Sequence, residues 1–261
     1  MARLPPYQFG IWLAEYFNSR CQLCHIQRSM SHADIASAST ATTAKLTFAL
    51  FSNGLLCEHC QHSISWLPDP FTVDIALNLA LPIQAATFYD YPIRQAFRSF
   101  KHSEDMTKLP LLVHVLRQLS RPVGCTSSNS VIVPMPTTDN RLRQRGFDPV
   151  TILSSYLARH WQIPLWHGVV RIDSTVSQQG LTRSERLANL NDAFTVIELP
   201  PAKRLLLFDD IATTGASLQA LARALYETVD TQYGANTGSN SANTNSHNYR
   251  FYAYALAHGS N

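Results

Sequence analysis

The sequence predicts an α/β protein: a parallel-sheet core with helices on both faces, preceded by a small module built on four cysteines. Three observations carry this. Short apolar runs at Val131–Val133 and Leu205–Phe208 have the length and continuity of strands buried on both faces. Apolar residues at helical spacing follow them, at Val150, Leu153 and Leu157 and at Leu218, Leu221, Ala222, Leu225 and Val229. Near the N-terminus stand two Cys-x-x-Cys pairs, Cys21-Gln22-Leu23-Cys24 and Cys57-Glu58-His59-Cys60. A chain of 261 residues can hold one substantial α/β domain and such an accessory module.

Composition narrows the class. Hydrophobic residues make up 45% and charged residues 15%, which indicates a globular core and argues against a wholly disordered chain. The net charge of +3 permits a phosphate or nucleic-acid ligand without requiring one. No start with a basic, then apolar, then small-residue pattern is visible, and no run of 18 apolar residues occurs. The expected location is therefore cytoplasmic, where paired cysteines more often bind metal than form disulfides.

Residues 1–70 read as the cysteine module. Each pair can present two thiolates from a knuckle turn, and two pairs complete a closed four-sulfur site, so Cys21, Cys24, Cys57 and Cys60 are expected to hold a structural zinc ion. The gap between the pairs exceeds the roughly 15–20 residues of common zinc ribbons. Residues 31–47, rich in Ala, Ser and Thr, read as an inserted loop that accounts for the excess. A redox pair and four unconnected thiols are the competing readings; a thioredoxin-type motif needs a βαβ context that is absent around either pair. His25, His59 and His62 lie near enough to be alternative ligands, with four sulfurs favoured. Cys125 has no partner in sequence and reads as a loop or core residue.

Pro68, Pro70 and Pro82 punctuate the exit from the module and place a boundary near residue 70, with a second domain over 71–261. Ala86–Pro92 reads as a strand or extended arm. Behind it Arg94, Arg98, Lys101, Lys108, Arg117 and Arg121 outnumber Glu104 and Asp105, which makes either a solvated face or a field that steers an anion. Leu109, Leu112, Val113, Leu116 and Leu119 have helical spacing and read as core. The strand Val131–Thr137 is followed by a basic turn with Arg141, Arg143 and Arg145 before Gly146. Residues 174–189, polar with a glycine hinge, have the composition of a mobile lid and equally of an exposed connector.

The most informative stretch runs from Arg204 to Ser217. Its apolar strand delivers Asp209 and Asp210 to a carboxyl end, where ligands collect in open α/β sheets. Adjacent carboxylates can accept hydrogen bonds from a vicinal diol and stay near a divalent cation on the same sugar. Thr213, Thr214, Gly215, Ala216 and Ser217 add hydroxyls and closely spaced N–H groups at the start of a helix, an arrangement suited to phosphate. Beyond that helix, residues 230–248 are dominated by Asn, Ser, Thr and Gly and read as a disordered loop. A last strand, Tyr249–Ala257, is expected to join the same sheet.

The segment Leu205–Ser217 closely resembles the phosphoribosyl-pyrophosphate (PRPP) motif of type I phosphoribosyltransferases. The order of features along nearly the whole chain resembles the ComF-type phosphoribosyltransferase-like proteins associated with DNA uptake in competent bacteria. The features are the double Cys-x-x-Cys module, the aromatic-basic segment from Tyr91 to Lys101, Val133-Pro134-Met135-Pro136, Arg145-Gly146-Phe147, Gln178-Gln179-Gly180-Leu181 with Arg186 and Asn189, and the PRPP loop. Asp148-Pro149 departs from the family's usual Asn-Gln after Arg-Gly-Phe. The resemblance implies a type I phosphoribosyltransferase-like fold, Asp209 and Asp210 facing ribose hydroxyls, and Ala212, Thr213, Thr214, Gly215, Ala216 and Ser217 around the 5-phosphate. It also implies Lys101 among the substrate-binding residues, Arg141, Arg143 or Arg145 near pyrophosphate, and Mg²⁺ arriving with PRPP. Two uses of such a site stay open. One is a pentosyl transfer whose acceptor is hidden; the other is a non-catalytic PRPP or nucleotide sensor that contacts single-stranded DNA or competence-machinery proteins.

Overall fold

The computed structural model describes residues 20–27, 55–77, 79–172, 193–235 and 249–259. In chain order the elements are α1 (Glu58–His62), β1 (Phe71–Ala76), β2 (Leu79–Phe88) and α2 (Ile93–Ser103), then a 3₁₀ turn (Met106–Lys108), α3 (Leu109–Leu116) and β3 (Ser130–Pro134). There follow α4 (Asp139–Arg145), α5 (Pro149–Trp161), β4 (Val169–Arg171), β5 (Phe194–Val196), β6 (Arg204–Ala212), α6 (Ala216–Ala235) and β7 (Arg250–His258).

The main sheet has the order β1-β2-β7-β6-β3, with β2, β7, β6 and β3 parallel. The outer strand β1 runs antiparallel to β2, because only residues 77–78 separate them and so short a link cannot make a parallel crossover. The core is therefore mostly parallel and not wholly so. Strands β3 and β6 are buried along most of their length, as the continuous apolar runs predict. Helix α3 packs against β2 and β7, α5 against β3 and β6, and α6 against β1 and β6. In α6, Leu218, Leu221, Ala222, Leu225 and Val229 are all buried, as their spacing predicts.

Three local expectations change. Pro82 lies inside β2 and does not end the preceding segment. It comes just before Ile83, where pairing with β7 begins, so its missing N–H falls where β2 has a neighbour on one side only. The basic turn at Arg141–Arg145 is helix α4, capped by Thr138, whose side chain accepts from Arg141 N–H, and closed by Gly146 at φ 71°. Helix α6 continues through Ala235, so residues 230–235 are helical, and Thr231 Oγ1 donates to the Glu227 carbonyl at 2.7 Å. The rest of the expected loop, 236–248, and the expected insertion at 31–47 and lid at 174–189 lie outside the described residues.

The cysteine segment shares one apolar core with the sheet, in which Cys21, Leu56, Cys57, Cys60 and Ile64 are continuous with Ile83, Phe97 and Leu112. Hydrogen bonds seal the contact. Leu67 N–H donates to the Ala86 carbonyl at 2.8 Å and Thr87 Oγ1 to the Ser65 carbonyl at 2.9 Å, while within the segment Trp66 Nε1 donates to the Gln61 carbonyl at 2.8 Å. His114 of α3 meets the edge of the Trp66 ring, and burial pushes its imidazole down to about 4.

Candidate functional site

Strand β6 carries Asp209 and Asp210 near its carboxyl end, and both are buried, at 8% and 7% exposure. The strand continues past them to Ala212, whose carbonyl accepts from Gly259 N–H at 2.9 Å, so the ends of β6 and β7 are tied together. Three residues, Thr213 to Gly215, then turn the chain into α6. Thr213 and Thr214 are exposed, and their hydroxyls have no hydrogen-bond partner among the described residues. A cavity of about 100 Å³ is lined by Asp209 and the continuous run Ile211–Leu218. The sequence-predicted loop residues Ala212, Thr213, Thr214, Gly215, Ala216 and Ser217 thus surround one space beside the carboxylates.

Gly215 is required here twice over. Its φ is 74°, in the left-handed region that side chains resist, and a Cβ would overlap Ile83 Cδ1 and lie 3.0 Å from Val73 Cγ1. The loop therefore presses directly on β1 and β2.

The two carboxylates are unequal. Asp209 Oδ1 accepts from Asp210 N–H at 2.8 Å, while Asp210 Oδ2 accepts from Lys101 Nζ at 2.7 Å. Burial first, and then the neighbouring Asp210 charge, push Asp209 up to about 7, against the opposing pull of Asp210 N–H, Lys101 and Arg171. Asp210 is the member with a cation at hand. Near neutral pH Asp209 can donate as well as accept a hydrogen bond, which suits a hydroxyl-bearing ligand.

Lys101 reaches the pair from α2. That helix buries Ile93, Ala96, Phe97 and Phe100 at i, i+3, i+4 and i+7 and turns Arg94, Arg98 and His102 outward. With Tyr91, Gln95, Ser99 and Ser103 these line a groove of about 410 Å³. Arg94, Arg98 and His102 have no acidic partner among the described residues. Tyr89, at the end of β2, is a site neighbour that sequence reasoning missed. Burial raises its phenol, and the charges it feels are Arg98, Asp210 and Arg94. The only available signal was its place beside the basic segment. Arg141 and Arg143 on α4 are exposed and Arg145 is partly buried, and no hydrogen bond or ion pair joins them to Asp209 or Asp210.

In the cysteine segment the Sγ atoms of Cys21, Cys24, Cys57 and Cys60 lie within 4.8 Å of one another. Cys24 and Cys57 are 3.9 Å apart at sulfur, close to the edge of about 3.8 Å in a tetrahedron with zinc–sulfur bonds of ~2.3 Å, and far from a disulfide. The first knuckle has the expected geometry: Leu23 N–H points at Cys21 Sγ at 3.4 Å, and His25 N–H bonds the Cys21 carbonyl at 2.9 Å. Backbone N–H groups of Gln27 and Ile26 lower the Cys24 thiol to about 6, whereas burial raises Cys57 and Cys60. Buried thiols of that kind become thiolates when a cation compensates them, so the donor set fits zinc. His25, His59 and His62 are not in the group.

The molecule is thus an α/β protein with a mostly parallel sheet, a buried carboxylate pair and small-residue loop at the carboxyl edge, and a four-cysteine cluster packed against it. Its sequence is similar to Competence protein F of Haemophilus influenzae, 24% identical over 221 residues, which span 82% of this chain and 93% of that protein. It is 26% identical over 214 residues to DNA utilization protein YhgH of Escherichia coli K12, covering 78% of this chain and 89% of that one. Competence protein ComFC of Bacillus subtilis is 32% identical over 97 residues, 37% of this chain and 38% of that protein. No family model matches the chain. The similarity to the first two of these proteins runs along most of the chain, and that to the third covers little more than a third of either chain.

Proposed function

We propose that the carboxyl edge of β6 binds PRPP and that the protein serves DNA uptake or utilisation, as the names of its relatives suggest. One observation carries the first part: a buried Asp209–Asp210 pair stands directly before an exposed hydroxyl-bearing loop that opens a twenty-residue helix. The loop N–H groups and the helix N-terminus suit the 5-phosphate, and the unequal carboxylates suit a vicinal diol, one accepting and the other able to donate. The carboxylates are hard oxygen donors and fit Mg²⁺, which when bound would neutralise the diphosphate. Pentosyl transfer needs an acceptor held in line with the anomeric carbon, and the same residues serve a sensor equally well.

Calorimetry with PRPP and Mg²⁺ tests this reading. The wild type is expected to bind, and Asp209→Ala/Asp210→Ala to lose at least about tenfold in affinity, as when two charged hydrogen-bond acceptors are removed. A wild type with no affinity for PRPP would remove the reading. Pyrophosphate release in the presence of candidate bases then separates an enzyme from a sensor.

The groove on α2 favours a second, compatible use. Arg94, Arg98 and His102 lie on one helix face without acidic partners, and Tyr91 beside them is 72% exposed. Cations that track a backbone and an aromatic ring that stacks on bases are what single-stranded nucleic acid requires. Affinity for a single-stranded oligonucleotide is expected to fall with salt, and Arg94→Ala/Arg98→Ala to lower the log–log slope by about 1.4. Binding that ignores salt sinks this use of the groove.

A further inference from the structure

We infer that Lys101, and not the arginines of α4, reads the second phosphate group of the ligand, so that Lys101 makes the site select a sugar diphosphate over a sugar monophosphate. The inference rests on the PRPP reading and adds a specificity-determining residue to it. Three observations converge on it.

The first is position. Lys101 Nζ sits 2.7 Å from Asp210 Oδ2, with its side chain 19% exposed, so the ammonium is inside the site and yet reachable by a ligand. An ammonium has three N–H donors, and Asp210 takes one. The others have no hydrogen-bond partner among the described residues. A group that already touches one carboxylate of the pair is within reach of any anion on a sugar held there.

The second is rigidity. The Lys101 ammonium lies 5.2 Å from the centre of the Phe97 ring, and Phe97 is buried. Next to it, Phe100 is fully buried and meets Phe147 edge-on at 5.3 Å. The ammonium of Lys101 thus rests against a ring that the packed face of α2 holds in place. Less freedom is lost on binding when the cation is already in place.

The third is the surrounding charge. Tyr89 feels the charges of Arg98, Asp210 and Arg94. Among the described residues Lys101 and Arg171 are cations that act on Asp209, and Arg98 and Arg94 of α2 act on neighbouring Tyr89. Cations on this flank exceed what Asp210 alone needs. The α4 arginines have no such tie to the pair, and two of the three point into solvent.

The test compares PRPP with ribose 5-phosphate, each with Mg²⁺, by calorimetry on the wild type, Lys101→Met, Lys101→Gln and Lys101→Arg. Ribose 5-phosphate uses the loop and the carboxylates but lacks the diphosphate, so its binding also reports an intact site. Lys101→Met and Lys101→Gln are expected to weaken PRPP at least about tenfold and ribose 5-phosphate less than about twofold, since a hydrogen bond to a charged group is lost for one ligand only. Glutamine keeps a donor toward Asp210 without the charge and guards against a methionine variant that fails to fold. Arginine should restore part of the preference for PRPP. Equal losses for both ligands would show that Lys101 merely orients Asp210, and no loss for either would show that it is idle; both results overturn the inference and leave the PRPP reading standing. A wild type that binds both sugars equally overturns it as well, and one that binds neither overturns the parent reading.

Discussion

Stripping the metal from the four-cysteine cluster is expected to lower the melting temperature by about 10 °C or more, from a loss of several kcal/mol at roughly 2–4 °C per kcal/mol for a chain of this size. The expectation follows from where the cluster sits. Cys21, Cys57 and Cys60 are buried, and they belong to the same apolar core as β2, α2 and α3. Without a cation, burial keeps Cys57 and Cys60 as thiols, and four sulfurs crowded within 4.8 Å have nothing to draw them together. Loss of the knuckles would release Ser65–Leu67 from their bonds to Ala86 and Thr87 and uncover that flank of the sheet. The checks are metal analysis of the purified protein, expected to give about one zinc per chain, and melting curves before and after a strong chelator. Cys60→Ser should reproduce the chelated state. An unchanged melting curve after complete removal would show that the cluster contributes no stability.

Gly215→Val is expected to abolish sugar-phosphate binding and to destabilise the fold by about 2–4 kcal/mol, combining left-handed backbone strain with overpacking. A Cβ at Gly215 meets Ile83, Val73 and Phe71, and valine adds two methyl groups in the same crowded place. Gly146 supplies the control. Its φ is 71°, almost the same, but a Cβ there meets nothing within 4 Å. Gly146→Ala should therefore cost only the strain, roughly 1–2 kcal/mol. Chemical denaturation of the two alanine variants isolates the contact with β1 and β2 as the excess at Gly215. If Gly215→Ala and Gly146→Ala cost the same and both keep ligand affinity, the loop does not depend on close approach to the sheet.

Legibility in the sequence followed the range of the interactions. Strands β3 and β6 and the face of α6 were readable because burial on both sides leaves continuous apolar residues, and one-sided burial leaves a helical repeat. The loop at 213–217 was readable because glycine and small hydroxyl residues serve a turn wherever they occur. The strand pair β1–β2 was lost behind Pro82, whose effect depends on which neighbour pairs at that position, and no local pattern encodes that. Helix α4 was read as a turn because three alternating arginines hide the Thr138 cap and the Gly146 stop. The Lys101–Asp210 pair joins residues 109 apart, and Tyr89 is still further from Asp210 in sequence. Such contacts belong to the topology, and local sequence carries no mark of them.

The place of β7 has a consequence for how the chain is made. This strand, residues 250–258, lies in the middle of the sheet, between β2 and β6. Every other described strand precedes it in the chain, so the pair β1–β2 and the pair β3–β6 have no hydrogen-bonded link to each other until it arrives. During synthesis β1–β2 emerges first with an open edge, β3–β6 can pair only once β6 has emerged, and β7 then closes the open edge of each at once. Long-range closure of this kind is slow and leaves strand edges exposed to other chains. Assembly of the main sheet thus waits on β7, and the carboxyl edge that carries Asp209 and Asp210 is completed in the same step.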